Sequence, residues 1–498
     1  MSVPLKRIPV VDSVHVGGSF LKRHWPAVLI LAAYLLVGLF YASYTPVWQA
    51  PDEPAHYNYI RSLAEGRGIP VMDEGDYDQA YIVRLTTEGF PPELSIASLE
   101  YEDHQPPLYY LLAAPLFALS SGNVVVLRLF SVVLGAGVVA VIMAIVLEVF
   151  PDRPCLAWLA GGLVAFLPQH VAMVSAVNND ALTELLLASW VLLALRYLRN
   201  AVHPAVLGVV LGALFLTKTT GYGAAILSVL VVFLRWRRGG FSWKWAVNQG
   251  VLIFGPGLLL GSLWWVRNWV VYGWPDFMGL LRHNEIVVGQ PRTADFLARD
   301  GAWAFYTGAL RTTFRSFWGQ FGWMGVVLDS RIYLGVGLLS AVMAWGALWR
   351  LGEGVAAGFE PRVRDALILL GVSALITFGL YIFYNFTFVQ HQGRYLFPAL
   401  PPLALAGAVG LRRVTEKRLA VMTSLLFVIV AVIFGLLGLL GQAVSLWSLA
   451  LIGGCSVAVL AAGLAPRRFL PAFGGILLLG LFALDFLCLF GFIIPMLA

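Results

Sequence analysis

Two acids, Asp52 and Glu53, stand between prolines in the stretch TPVWQAPDEPAHYNYIRSLAEGRGIPV at residues 45–71. Pro51 and Pro54 predict a helix start, where the helix dipole favours a carboxylate. A carboxylate placed there can take a proton from an acceptor hydroxyl, hold a divalent cation, or simply cap the helix. A second polar cluster, Asn178, Asn179 and Asp180, sits in VSAVNNDALTELL at 174–186 and opens another helix. There too the choice is between chemistry and capping. Glu184 lies one turn further in, and an ionisable residue inside an apolar run is a functional candidate by default.

Three cations complete a possible site. Lys218 stands alone in FLTKTTG, Arg267 ends the apolar run SLWWVRNWVVYG, and Arg394 begins another in QHQGRYLFPALPP. Arg can bind a phosphate through two N–H groups and Lys supplies a point charge. The plainer alternative is cations that snorkel to lipid head groups. His104, in EDHQPPLYY at 102–110, is a candidate metal ligand or phosphate donor. The aromatic and glycine residues of RTTFRSFWGQFGWMG at 311–325 suit either stacking on a sugar ring or a membrane-interface belt.

The elements that must position these residues are set by the bilayer. The 498 residues are 59% hydrophobic and only 12% charged, against roughly 25% charged in a soluble domain. Apolar runs recur from 27–44 to 469–497, thirteen in all, each near the length that spans a membrane. The predicted fold is an all-α integral membrane protein of about 13 transmembrane helices, with surface helices in a large first outer loop. Residues 1–26, carrying Lys6, Arg7, Lys22 and Arg23, read as a cytoplasmic tail. Residues 27–411 hold all the candidate site residues and read as one transmembrane module, with 412–498 as C-terminal transmembrane helices. Cys155, Cys455 and Cys488 are too scattered for a disulfide framework or a thiolate metal site. The net charge of +6 belongs to short topogenic loops, so nucleic acid is not an expected partner.

One further apolar stretch, 106–121, decides the topology. If it does not cross, the short basic loops and the tail, holding 20 of the 33 Lys and Arg, all share one side. The positive-inside rule therefore predicts a surface-lying helix there. Loops 45–123, 176–180, 271–329 and 388–394 then emerge together on the outer face. The first of them holds 12 of the 27 acidic residues.

These motifs, in this order, resemble the GT-C class of membrane glycosyltransferases. The likeness is greatest to protein O-mannosyltransferases and the aminoarabinose transferases of lipid A. PDEPAHYNYIRSLAEGRGIPV is similar to their first-loop motif, HQPPLYYLLAAPLF to the motif closing that loop, and RYLFPALPPLAL to a late one. The resemblance covers residues 27–411. It implies a polyprenyl-phosphate sugar donor, inversion at the anomeric carbon, and a lipid, glycan or protein acceptor, among membrane lipids. It implies Asp52 as the main catalytic carboxylate, with Glu53 and Asp180 assisting. Lys218, Arg267, Arg394 and Tyr395 would bind the donor phosphate. His56, Tyr57, His104, Gln105 and Tyr109 would contact substrate, and a divalent cation could sit at His104. The chain departs from the lipid A enzymes in having His104 and Gln105 where they carry an acid and a Lys before Pro-Pro. The implied location is a prokaryotic plasma (inner) membrane, with the site facing outward. The rival reading is a transporter or flippase of a lipid-linked glycan, which predicts related halves and polar residues at mid-span.

Overall fold

The computed structural model describes residues 16–497. The predicted basic tail falls outside them except for helical backbone from Val16, so the side chains of Lys6, Arg7, Lys22 and Arg23 are not described. Apolar runs fold as helices because a bilayer offers backbone groups no partner. Helix α1 (Val16–Tyr44) leads into a loop holding α2 (Glu53–Ala64), α3 (Gln79–Thr87) and α4 (Leu108–Ser120). Then come α5 (Val124–Val149), α6 (Pro154–Ala165) and α7 (Pro168–Val174). The last two meet at a 66° bend, where Pro168 removes a backbone donor. The chain continues through α8 (Asp180–Tyr197), α9 (Pro204–Phe215), α10 (Gly223–Gly239) and α11 (Trp243–Tyr272).

The predicted second loop is itself folded, into α12 (Leu280–Ile286), α13 (Thr293–Asp300), α14 (Ala302–Trp318) and a hairpin pairing Gln320–Phe321 with Val326–Val327. The remaining helices are α15 (Ser330–Ala357), α16 (Pro361–Asn385), α17 (Leu400–Val414), α18 (Lys417–Leu439), α19 (Leu446–Leu464) and α20 (Leu470–Cys488). The last of them returns to pack on α1, α6 and α7.

Among the described residues, ten helices are long and apolar enough to cross a membrane, or eleven if the bent pair α6–α7 is one span. The other two predicted runs are α8 and α9. Helix α8 is 18 residues long but carries Asp180, Glu184 and Arg196, and α9 has only 12 residues. Length and composition therefore leave the count of 13 unconfirmed.

The bundle has two chemically distinct ends. Arg128, in the first turns of α5, donates to the carbonyls of Ala42, Thr45 and Pro46 at 3.1, 2.7 and 3.2 Å. Tyr57 donates to the Gly122 carbonyl at 2.9 Å. The first loop thus leaves and re-enters the bundle at one end, and α4 does not cross between them. Instead α4 lies beside α2, with Tyr110 stacked on Tyr59 at 3.8 Å and Leu111, Leu112 and Leu119 turned outward. At the opposite end Glu148 pairs with Arg196 and Arg199, Arg238 with Asp365, and Arg413 with Glu353.

Candidate active site

The site is built where helices begin or end, because there the backbone can place a side chain without burying an unpaired group. Asp52 occupies the residue before α2 in a left-handed conformation, φ 68°, which Asp tolerates better than most residues. Its side chain makes no capping hydrogen bond. The carboxylate turns instead to Arg394, whose Nη2 donates to it at 2.7 Å, and to the Tyr101 hydroxyl at 3.2 Å. Asp180, the first residue of α8, likewise leaves capping to Asn178, whose side chain accepts from the Asp180 backbone N–H at 2.8 Å. The Asp180 carboxylate accepts from Lys218 Nζ at 2.7 Å. Both acids stay partly accessible, at 24% and 26% side-chain exposure, so a substrate can reach them.

The charges of these groups are coupled. Burial, the largest single influence, would raise the Asp52 carboxyl, but the Arg394 guanidinium and the weaker effects of its other neighbours, Lys218 among them, together hold the group below the usual carboxylate range. Glu102 goes the other way. Burial, and then the nearby Asp52 charge, push it up to about 8, so it holds a proton near neutral pH. Burial, reinforced by Lys218, lowers the His56 imidazole to about 3 and keeps it neutral. His56 contacts the Tyr110 hydroxyl at 2.9 Å, and Asn179 donates to that same hydroxyl at 3.3 Å. His56 thus ties α2 to α4 and to the start of α8.

Arg394 has capacity left over. It is 8% exposed, one N–H is spent on Asp52, and its Nε and Nη1 are buried without a protein partner. Tyr395 lies against the guanidinium at 5.3 Å. An unpaired buried donor is costly, so the guanidinium keeps N–H groups, beyond the one given to Asp52, for an anionic ligand such as a phosphate.

The structure separates several residues from this cluster. Glu53, expected to assist catalysis, is fully buried. It is gripped by Arg128 through two bonds at 2.7 and 2.6 Å and by the backbone N–H groups of Trp48 and Val177 at 3.1 Å each. With its lone pairs taken and no access, it braces the loop rather than facing substrate.

Arg267 does not join Lys218 and Arg394. It donates to the carbonyl of Pro70, stacks over Trp264 at 4.9 Å, and so fastens the first loop to α11. Tyr57, bonded to Gly122, and Tyr109, fully buried and bonded to Ser131 at 2.8 Å, hold the loop frame. The 311–325 segment is likewise a brace: Trp323 donates to the Trp48 carbonyl at 2.9 Å, and Gln169 receives the Gln320 N–H at 2.7 Å.

His104 and Gln105 are buried side by side at 3.2 Å. His104 also contacts the Tyr101 carbonyl at 3.1 Å and lies against the tilted His283 ring at 4.2 Å. Burial, then His283, hold the His104 imidazole well below its usual value. Among the described residues no three His, Cys, Asp or Glu side chains converge as a cation site, so the residues present do not form a ligand set around His104. Glu102 and Tyr101 were not singled out by spacing. Both stand in the loop-closing segment, and an acid two residues before His104 was the available signal. Glu184, the acid one turn into α8, meets His170 at 2.9 Å inside the bundle.

Comparison with known proteins agrees with this architecture. Residues 104–265 match the family described as dolichyl-phosphate-mannose-protein mannosyltransferase, a stretch that carries Asp180 and Lys218. The fold is similar to that of ArnT from Cupriavidus metallidurans in its crystal structure bound to undecaprenyl phosphate. That similarity has a TM-score of 0.51 and 16% identity, over 93% of this chain and 76% of that one. For ArnT from the same organism in the apo state, the TM-score is 0.50 and the identity 17%, over 94% of this chain and 77% of that one. No curated protein matches the sequence significantly. The GT-C fold expected from the motifs is thus the fold observed, and the resemblance to the mannosyltransferase and ArnT group is borne out.

Proposed function

We propose that the protein is an inverting glycosyltransferase that moves a sugar from a polyprenyl-phosphate donor to an acceptor hydroxyl or amine at the outer face of a prokaryotic plasma membrane. The observation that carries this reading is the pair of partly accessible carboxylates, each held by a cation and close enough to feel the other's partner, with two donors of Arg394 unspent. Arg394 and Lys218, with Tyr395 beside them, receive the donor phosphate. Asp52 takes the proton from the acceptor as its oxygen or nitrogen bonds to the anomeric carbon. The bond from that carbon to the phosphate oxygen breaks, and the electron pair leaves with polyprenyl phosphate. That anion is a good leaving group, so no general acid is required and the two cations stabilise its charge. A phosphate that draws Arg394 toward itself loosens its hold on Asp52 and makes Asp52 more basic at the moment of transfer.

Purified protein supplied with polyprenyl-phosphate sugars should release polyprenyl phosphate in step with a glycosylated acceptor. Movement of such lipids across vesicles without any glycosyl product would favour the flippase reading instead. Arg394→Ala should weaken donor binding on the order of 10–100-fold, the worth of one or two charge-assisted hydrogen bonds. Arg394→Lys should recover only part, because it restores the charge without the planar fork. Donor titration by tryptophan fluorescence measures both, and parental affinity in both variants removes Arg394 from the donor site.

Sidedness rests on the distribution of basic loops. Single cysteines introduced at residues 122 and 152 should label from opposite faces of the cell membrane, 122 from outside and 152 only after permeabilisation. Labelling of 152 in intact cells would turn the site to the other face.

A further inference from the structure

At the end of the bundle opposite Asp52 lies a cavity of about 1860 Å³. Small-molecule pockets usually measure about 300–1,000 Å³, so this one is large for a soluble metabolite. It exists because the C-terminal helices divide their contacts. Helix α19 packs on α15 and α18, whereas α20 packs on α1 and α6, and the space between is left open. Its wall is apolar, formed by residues such as Leu29, Trp158, Leu339, Leu451 and Leu478. It follows α20 from Leu470 to Phe482, about 18 Å at 1.5 Å per residue. That depth is more than half of a hydrocarbon core of roughly 30 Å.

The mouth has the opposite character. Arg153 from the α5–α6 turn, Arg412, Lys417 and Arg418 from the α17–α18 turn, and Arg467 from the α19–α20 turn all line it. All five are exposed. Among the described residues none of the five makes an ion pair. The acids Glu353 and Glu416, also at the mouth, are both held by Arg413, and among the described lining residues Asp152 alone remains to offset the five. The positive-inside rule asks only that short loops be basic. It does not ask that three of them converge on one apolar cavity.

We infer that this cavity binds an anionic phospholipid, its acyl chains along the apolar wall and its phosphate among Arg153, Arg412, Lys417, Arg418 and Arg467. Basic pockets between membrane helices have this chemistry for lipid head groups. A soluble anion would leave the apolar wall unfilled. A polyprenyl donor is ruled out by place, since its phosphate must reach Arg394 at the other end of the bundle. That last point alone rests on the proposed function. The bound lipid bridges α19 to α20 and so joins helices that do not pack on each other.

The test uses the full-length protein in detergent micelles, with dioleoyl phosphatidylglycerol, dioleoyl phosphatidylcholine and undecaprenyl phosphate as probes. Native mass spectrometry should show phosphatidylglycerol retained in preference to phosphatidylcholine, and phosphatidylglycerol should raise the unfolding temperature. In an R412Q/K417Q/R418Q variant the retention should fall on the order of 100-fold, given the usual worth of each surface cation toward anionic lipid. These side chains are exposed, so the fold should survive. Leu339→Trp, which fills the wall and leaves the rim intact, should also reduce retention. Equal binding of phosphatidylcholine to the unaltered protein overturns the proposal, as does undiminished retention by the triple variant. Displacement of phosphatidylglycerol by undecaprenyl phosphate, itself reversed by L339W, would assign the cavity to the polyprenyl lipid and overturn it too. None of these readouts depends on sugar transfer.

Discussion

Asp52→Asn should lower sugar transfer by about 10²–10⁴-fold, the usual loss when a general base is removed, while expression and donor binding stay near parental. Asn keeps the size and still accepts a hydrogen bond from Tyr101, which the carboxylate meets at 3.2 Å. What disappears is the capacity to take a proton. The loss of the charge beside Arg394 also frees that guanidinium, so donor affinity should hold or rise slightly. Transfer rate and donor affinity measured on the same preparation separate the two effects. A chelator added to the unaltered protein tests whether a divalent cation shares the role of Asp52. Asp180→Asn, made in parallel, loosens Lys218 and should act chiefly through donor binding. If D52N transfers sugar at the parental rate while D180N is dead, the base is Asp180. If both remain active, the paired carboxylates serve only the fold.

Glu53→Gln should destabilise the protein by about 3–5 kcal/mol, the typical loss when one member of a buried ion pair is removed. Arg128 is 1% exposed and would keep its charge with no carboxylate beside it. The expected result is a sharp fall in yield and in unfolding temperature in detergent. The double variant E53Q/R128M should recover part of that loss, because no unpaired charge then remains buried. This outcome distinguishes bracing from chemistry. E53Q with an unchanged unfolding temperature but no transfer would return Glu53 to the catalytic group. Because Arg128 also holds three carbonyls at the start of the first loop, any loosening of this pair should reach Asp52 one residue away.

The adjacency of Asp52 and Glu53 illustrates why neighbouring acids part company. Asp52 lies outside the helix with a left-handed backbone, and Glu53 begins it. One step along a helix turns the side chain by about 100°. With that change of backbone between them, one carboxylate turns to Arg394 and the other to Arg128 on α5. Neither spacing nor residue type distinguishes them. Nor could spacing tell that Arg267 would be taken by the Pro70 carbonyl, or that burial, and then the nearby Asp52, would make Glu102 keep its proton.

What the chain determines by itself follows from local chemistry. Apolar runs about as long as the bilayer is thick must become helices, and the basic residues of short loops group their ends. Prolines beside Asp52 and His104, and polar residues opening α8, mark where helices begin. From these alone came the membrane fold, the non-crossing α4 and the candidacy of Asp52, Asp180, Lys218 and Arg394. The tertiary structure decided the pairings. Asp52 meets Arg394 across 342 residues and Glu53 meets Arg128 across 75. Such contacts depend on how helices far apart in sequence lean on each other, and helix periodicity constrains a residue's face but not which distant charge will stand opposite. A cation is free to bind a ligand only if no carboxylate or carbonyl has claimed all its donors, and that is a property of the packed bundle.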